Sequence, residues 1–477
     1  MCAGTVCPTH PPRPRSAMPE PAPAPRVAVL VHNDAANDSR VLKESASLRG
    51  AGMRVRIIAV ERRLKGHAAG ITELAEHLDL QRVPEFALER IAPRLTRLTR
   101  RPAGDGTPAP APAAGGGADR PVPPPSRIRD VAVRTGMRIA ADLGRRAYRT
   151  VELGTWWWRS ARAGHAFAPQ VVHANDTNAL VPALAIQLLG RQAGRDVRLV
   201  LDSHELWRHR NVPEHRLLAP LLDALVEHLA VPRADAVMTV SPSIAAWLQR
   251  TYALPEPPVL VRNVPVAGPV PERSQGVLRE RAGLSSSDRV IAYGGRITTS
   301  RGIEETLAAL PHLPPDVHLV LLGYGEEDYL ARVQEAARAA GVTGRLHLVG
   351  AVAPDQVSTA LADGDVAVVH VQPVCLSYRY ALPNKLFESI RAGLPIAAAD
   401  LPDMRAVVEE LGVGEVFASE DPRELAAALL RILEHPETYR ARARAVAPEL
   451  TWEHEAERML EAYRRAMAGT RGTEDPA

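Results

Sequence analysis

Short apolar runs alternate along the chain with longer stretches in which apolar side chains recur every three or four positions, and the alternation starts at Arg26. RVAVLVHND reads as a buried strand, SRVLKESASLRGAG as an amphipathic helix, and MRVRIIAVE as a second strand. A crossover of this length between two apolar runs predicts a parallel, doubly wound sheet. QVVHAND with TNALVPALAIQLLG, then VRLVLDSHE, then ADAVMTVSPSIAAWL continue the pattern. Pro, Gly and Ser punctuate the stretch from Val264 to Asp288. From Arg289 the alternation begins again with RVIAYGG, HLVLLGYG, LHLVG, VAVVHV and GEVFA, interleaved with helical stretches.

The pattern predicts an α/β protein of two Rossmann-like domains whose strands end at a shared cleft. The expected layout is a Pro-rich tail over 1–25, an N-terminal domain over 26–264 and a linker over 265–287. A C-terminal domain over 288–450, a closing helix over 451–470 and a tail over 471–477 follow. Within the first domain, 64–168 reads as an insertion built around the low-complexity segment RPAGDGTPAPAPAAGGGADRPVPPPS. Two arginine-rich amphipathic stretches flank that segment, one holding Phe86, Leu88, Ile91, Leu95 and Leu98, the other running from Ile128 to Trp158. In the second, Trp156, Trp157 and Trp158 follow Arg127, Arg134, Arg138, Arg145, Arg146 and Arg149, a pattern that suits a lipid headgroup layer or a helix that turns arginine to water.

Composition narrows the picture only slightly. A chain of 477 residues can bury two full cores, and a formal net charge of +3 argues against a nucleic-acid binder. Cys2, Cys7 and Cys375 have no metal-ligand spacing, which points to a reducing, cytoplasmic setting. The first 25 residues lack the apolar core of a signal peptide, and no run of about 18 apolar residues occurs, so any membrane contact is expected to be peripheral.

Candidate chemistry lies at the strand ends. Asn175 and Asp176 follow QVVHA, Asp202, His204 and Glu205 follow VRLVL, and Arg296 and Arg301 follow the first strand of the second half on a Gly-containing turn. In YALPNKLFESIRAGLPIAAAD, Pro383 is placed to open a helix and Gly393 to stop it, with Asn384 and Lys385 in its first turn and Glu388 one turn on. The first loop, VHNDAANDSR, offers Asn37, Asp38 and Ser39 as helix caps and Arg40 as a phosphate or acceptor contact.

Four stretches in this order, HANDTNAL, LDSHELW, GGRITTSRG and YALPNKLFESIRAGLPIAAAD, make the chain resemble the retaining GT-B fold glycosyltransferases of family 4, from Arg26 to about Gly469 outside the insertion. The resemblance implies a hexosyltransferase that uses a nucleotide diphosphate sugar without a bound metal or other cofactor. Its acceptor would be a hydroxyl of a glycan, a lipid-linked glycan or a small molecule, in glycan, polysaccharide or glycolipid biosynthesis. Arg296, Arg301, Asn384 and Lys385 would meet the donor's diphosphate, and Glu388 the ribose hydroxyls. His204 would contact the donor sugar, with Asp176 and Glu205 orienting sugar or acceptor. Members of the family usually carry a glutamate where this chain has Tyr380; a Pro-Asn-Lys-x-x-Glu subgroup shares the departure. That substitution keeps open a second reading, a non-catalytic GT-B protein that binds a nucleotide sugar or a partner; a GT-B nucleotide-sugar epimerase is a third. Asp363-Gly364-Asp365 reads as a turn rather than a metal motif, Gly323-Tyr324-Gly325 as a tight turn, and Cys375 as a packing residue.

Overall fold

The computed structural model describes residues 24–87, 148–211 and 219–469. The first sheet has the order β3-β4-β2-β1-β5-β6-β7-β8. Its strands are β1 (Arg26–Leu30), β2 (Arg54–Val60), β3 (Gly70–Ala75), β4 (Leu78–Val83), β5 (Val171–Asn175), β6 (Arg198–Ser203), β7 (Ala236–Thr239) and β8 (Val259–Leu260). Only β3 runs antiparallel to its neighbour β4. The second sheet has the order β11-β10-β9-β12-β13-β14, all parallel. Its strands are β9 (Arg289–Gly294), β10 (Val317–Leu322), β11 (Leu346–Leu348), β12 (Val366–Val369), β13 (Ile396–Ala399) and β14 (Gly414–Phe417).

Strand order locates the sites. In each sheet the winding reverses beside the first strand, between β1 and β5 in one and between β9 and β12 in the other. Ligands of open α/β sheets bind at the carboxyl ends of strands at such reversals. Period-two burial does the rest: Val27 and Val29 join one apolar cluster, while Ala28 and Leu30 join the other. The first sheet is therefore buried on both faces.

Two boundaries differ from the sequence layout, and the closing helix, found where expected, packs on the first domain. The stretch read as an insertion from residue 64 contributes β3 and β4, with β4 paired in parallel to β2. β3 is exposed along almost its whole length, so its composition carries no strand-like apolar signal. The short helix Leu278–Ala282, placed by sequence in the linker, belongs to the second domain: Leu278 is buried, and the Asp363 carboxylate accepts from the backbone N–H of Leu278 (3.1 Å) and Arg279 (2.9 Å). Asp363 thus caps a helix, and Asp365 pairs with Arg279 at 2.6 Å. Finally, the C-terminal helix Trp452–Ala468 crosses back to pack on β6, β7, β8 and the first helix, Ser39–Gly50. The Trp452 indole donates to Ser47 Oγ at 2.9 Å, and Arg262 pairs with buried Glu455 at 2.6 Å.

The tryptophan triplet is divided by the helix it lies on, which spans 148–167 in the described residues. Trp156 is buried against His32, and Trp157 donates from Nε1 to the Asn178 carbonyl, leaving only Trp158 exposed at 61%. Three consecutive helical residues point about 100° apart, so they cannot form one membrane-facing edge. The arginines at 127, 134, 138, 145 and 146 and the stretch from Leu88 to Leu98 lie outside the described residues. No described helix is long and apolar enough to cross a membrane.

Candidate active site

A cleft of about 790 Å³ opens between the two sheets where their windings reverse, within the size range of small-molecule sites. Its first-domain wall includes Asn33, Asp34, Arg40, His204 and Glu205; its second-domain wall includes Arg296, Arg301, Asn384, Lys385 and Glu388. Seven of the eight sequence candidates therefore line one cavity. The eighth, Asp176, stands directly behind His204 and holds it.

Three loops at this cleft contain a residue other than glycine in the left-handed region: Ala35 (φ +54°), Asp176 (φ +60°) and Ser300 (φ +61°). Such backbone costs of order 1–3 kcal/mol each and persists where surrounding structure imposes it, commonly at sites of function. At Asp176 the result is visible: Oδ1 accepts from the His204 N–H at 2.9 Å, and Oδ2 lies 3.4 Å from His204 Nδ1. The other ring nitrogen, Nε2, is 2.9 Å from Asp202 Oδ2. Burial opposes a charged imidazole here, but Asp176 and Asp202 outweigh it and push His204 up to about 10. With both nitrogens protonated, Nε2 donates to Asp202 and Nδ1 faces Asp176 as an ion pair, which leaves His204 no lone pair with which to take a proton at neutral pH.

Arg40 is not the available anion contact expected from sequence. Its guanidinium grips both oxygens of Asp202, at 2.6 and 2.8 Å, and donates to the Val261 carbonyl at 2.7 Å. Asp38 does cap the first helix, accepting from Val41 N–H. Asn175 turns inward, donating to the Leu30 carbonyl at 3.1 Å.

On the opposite wall the helix Asn384–Arg391 starts at the cleft. Pro383 is its N-cap, in extended conformation (ψ 148°), so the helix begins at Asn384 and not at the proline. No side chain caps this end, and its first amides form the partially positive end of the helix beside Arg296 and Arg301. The Arg301 guanidinium lies over the Tyr378 ring at 5.2 Å, while Arg296 is 58% exposed and only 3.3 Å from Glu326. Lys385 is tied down more than expected: its Nζ donates to the His370 carbonyl at 2.8 Å and sits 4.7 Å from the centre of the Tyr293 ring. Burial, reinforced by Arg301, holds its ammonium well below the usual lysine range.

Tyr380 does not line this cleft. It packs on the first-domain apolar cluster, and its carbonyl accepts from Ser241 Oγ at 2.8 Å. The neighbouring Asp403 carboxylate takes Ser243 Oγ at 3.0 Å. A phenol suits this half-buried domain-to-domain contact, and a charged glutamate in the same place would be partly desolvated against an apolar cluster.

Glu388 sits where the cleft meets a second cavity of about 510 Å³, and it lines both. Burial raises its carboxyl to about 7, against the pull of Lys43 and Lys385. The folded state thus keeps the proton to higher pH than the unfolded chain, so the stability from this group is complete below pH 4.5 and is lost as pH rises through 7. Glu388→Gln removes that loss: its thermal midpoint at pH 8 is expected above wild type, with the difference vanishing near pH 4.5. Lys43 was missed in the sequence although it contributes to this wall of the second cavity, donating to Asn263 Oδ1 at 2.7 Å. Its signal was present, since Arg40, Lys43 and Glu44 are charges one turn apart, and Arg40 and Glu44 fall on the stripe of Val41 and Leu48.

Two family models match the chain in order. Residues 114–264 match Glycosyltransferase Family 4, and residues 275–447 match glycosyl transferases group 1. The chain is thus similar to glycosyltransferases of these two families along both of its halves. A D-inositol 3-phosphate glycosyltransferase of Xylanimonas cellulosilytica is 28% identical over 291 residues, 57% of this chain and 67% of that protein. A glycogen synthase of Mycobacterium tuberculosis is 27% identical over 321 residues, 64% of this chain and 71% of that protein. Among solved structures, sucrose-phosphate synthase from Thermosynechococcus elongatus superposes with a TM-score of 0.65 at 17% identity, covering 94% of this chain and 100% of that one. Anabaena HepE in complex with UDP-glucose gives 0.61 at 16%, covering 92% and 99%. These similarities confirm the GT-B architecture expected from sequence.

Proposed function

We propose that the protein transfers a hexose-type sugar from a nucleotide diphosphate donor to an acceptor hydroxyl, with retention of configuration and without a bound metal. The observation that carries this reading is the convergence on one wall of the cleft of an uncapped helix start, Arg301 and Glu388. Breaking the bond to the leaving diphosphate puts negative charge on phosphate oxygens, and preorganised cations with helix N–H groups stabilise it without solvent reorganisation. Glu388 has the geometry to accept from ribose hydroxyls at the far end. His204 and Glu205 face the donor from the first domain, and Asn33 and Asp34 line the same wall with their side chains held by the first loop. Retention, the acceptor class and a biosynthetic role in glycans or glycolipids rest on the family resemblance. Tyr380, which motivated the reading as a non-catalytic binder, packs away from the cleft, and no observation of its own supports an epimerase.

The described residues hold one cluster with metal-ligand spacing, Glu44, Asp202 and His204, and the Arg40 guanidinium already occupies both Asp202 oxygens. Transfer is therefore expected to continue in excess EDTA; complete loss restored by magnesium or manganese would overturn the metal-free reading. The nucleotide assignment is tested by Glu388→Gln, which turns one acceptor into a donor. Donor affinity should fall at least about tenfold, and preference for ribo- over 2′-deoxyribonucleotides should shrink. Unchanged preference measured by calorimetry would remove Glu388 from the ribose.

A further inference from the structure

Behind the first-domain wall lies a buried charge cluster that the proposed transfer does not itself use. Arg40, Glu44, Asp202 and His173 are all buried, and only His204 and the edge of Arg40 open onto the cleft. The Arg40 fork fixes both Asp202 oxygens, and Asp202 Oδ2 in turn receives His204 Nε2. Asp176, held at positive φ, receives the backbone N–H and faces the other ring nitrogen.

We propose that Arg40 is a positioning residue for the proposed transfer: through Asp202, and opposite Asp176, it locks the His204 ring as an oriented imidazolium at the cleft. The inference rests on the reading of that cleft as the donor site. Charge balance supports it. Arg40 and His204 supply two cations against Asp202 and Asp176, and Glu44 is a third acid whose two oxygens have no hydrogen-bond partner. Glu44 lies 2.9 Å from Arg40 Nε, but that N–H is already directed to Asp202 at 2.6 Å. Burial and the Asp202 charge keep the Glu44 carboxyl protonated well above the usual range, which leaves the four remaining charges paired.

The other titratable groups facing the ring complete the account. Glu205, next in the chain, opens onto the cleft, and Asp38 serves the first helix as its cap. His173 lies 3.8 Å from Glu44 and shares a 2.6 Å hydrogen bond with Tyr463 Oη of the C-terminal helix, so the cluster is walled off from water on that side. Without Arg40, Asp202 would lose its bidentate partner and keep only the ring, which could then swing with the carboxylate.

The test combines ring ¹⁵N NMR of histidine-labelled protein with kinetics. In wild type at pH 8, one histidine, assigned by its loss in His204→Gln, should show both ring nitrogens protonated. Arg40→Met should leave both ring nitrogens protonated, because the Arg40 charge opposes the imidazolium, but should free the ring to reorient: its ¹⁵N resonances should shift or broaden and kcat should fall at least tenfold, while the dissociation constant of the tightest-binding of UDP, GDP, ADP and dTDP stays within twofold. Asp176→Asn, which leaves Arg40 and its partners in place, should weaken the same signature and lower kcat with the same split, so the inference stays testable if Arg40→Met does not fold. A neutral His204 in wild type at pH 8 would overturn the proposal, as would ring resonances and kcat that stay unchanged in Arg40→Met or a loss that appears equally in nucleotide affinity. Failure of wild type to transfer sugar with the signature intact would instead sink the functional reading and leave the lock standing.

Discussion

Arg301→Ala is expected to weaken nucleoside diphosphate binding by about 1.5–3 kcal/mol, roughly 10- to 150-fold, which is the range for charged hydrogen bonds. Among the described residues no carboxylate pairs with Arg301; its guanidinium rests on Tyr378 at the mouth of the cleft, preorganised for an anion. Arg296 differs because it is largely exposed and already faces Glu326, so an incoming phosphate must compete for it. Arg296→Ala should therefore cost less than Arg301→Ala, and Arg301→Lys should recover only part of the affinity, since an ammonium neither stacks nor forks. Calorimetry with nucleoside di- and monophosphates checks this. Equal losses for both nucleotides, or the larger loss at Arg296, would contradict the assignment.

Gly302→Ala should lower stability by about 2–5 kcal/mol. Gly302 caps the helix Ile303–Ala309 at φ +68°, where a side chain costs about 1–2 kcal/mol. A Cβ there would also lie 1.9 Å from His370 Cγ, and the His370 ring cannot retreat because Nε2 is held by the Ser419 carbonyl at 2.7 Å. Overpacking of this kind adds about 1–3 kcal/mol. Gly344, which has open space around it, is the control: Gly344→Ala should stay within about 0.5 kcal/mol of wild type. Chemical denaturation of the two variants reads the difference directly. Because Arg301 precedes Gly302, the first variant should also lose nucleotide affinity.

The fold was legible wherever strands are buried on both faces, because β1, β2, β5, β6, β9, β10, β12 and β13 are near-continuous apolar runs that need no context to recognise. β3 was not legible: an exposed edge strand is specified by its pairing with β4, not by its own composition. The C-terminal helix was visible as a helix, but its apolar face could not say which domain it covers. At the site, the type and order of the charged residues were readable, and their neighbours were not. Sequence placed Arg40 and His204 at the cleft, but only geometry showed that Asp202 occupies both and that Asp176, from a neighbouring strand end, also holds His204. Tyr380 illustrates the same limit: a motif aligned it with a sugar-contacting position, and the turn Leu376–Arg379 carries it onto the other domain instead.

The central claim is that donor sugar and acceptor meet between the helix starting at Asn384 and the locked His204. Its most direct test is ¹H NMR of wild-type protein with a panel of nucleotide sugars and hydroxyl acceptors, followed in real time. The account predicts that one donor loses its sugar to an acceptor, with a product linkage of the donor's own anomeric configuration, and that Glu388→Gln slows this at least about tenfold. An inverted linkage would refute retention. A donor that is bound but only epimerised, or left unchanged with every acceptor, would contradict the assignment as a transferase.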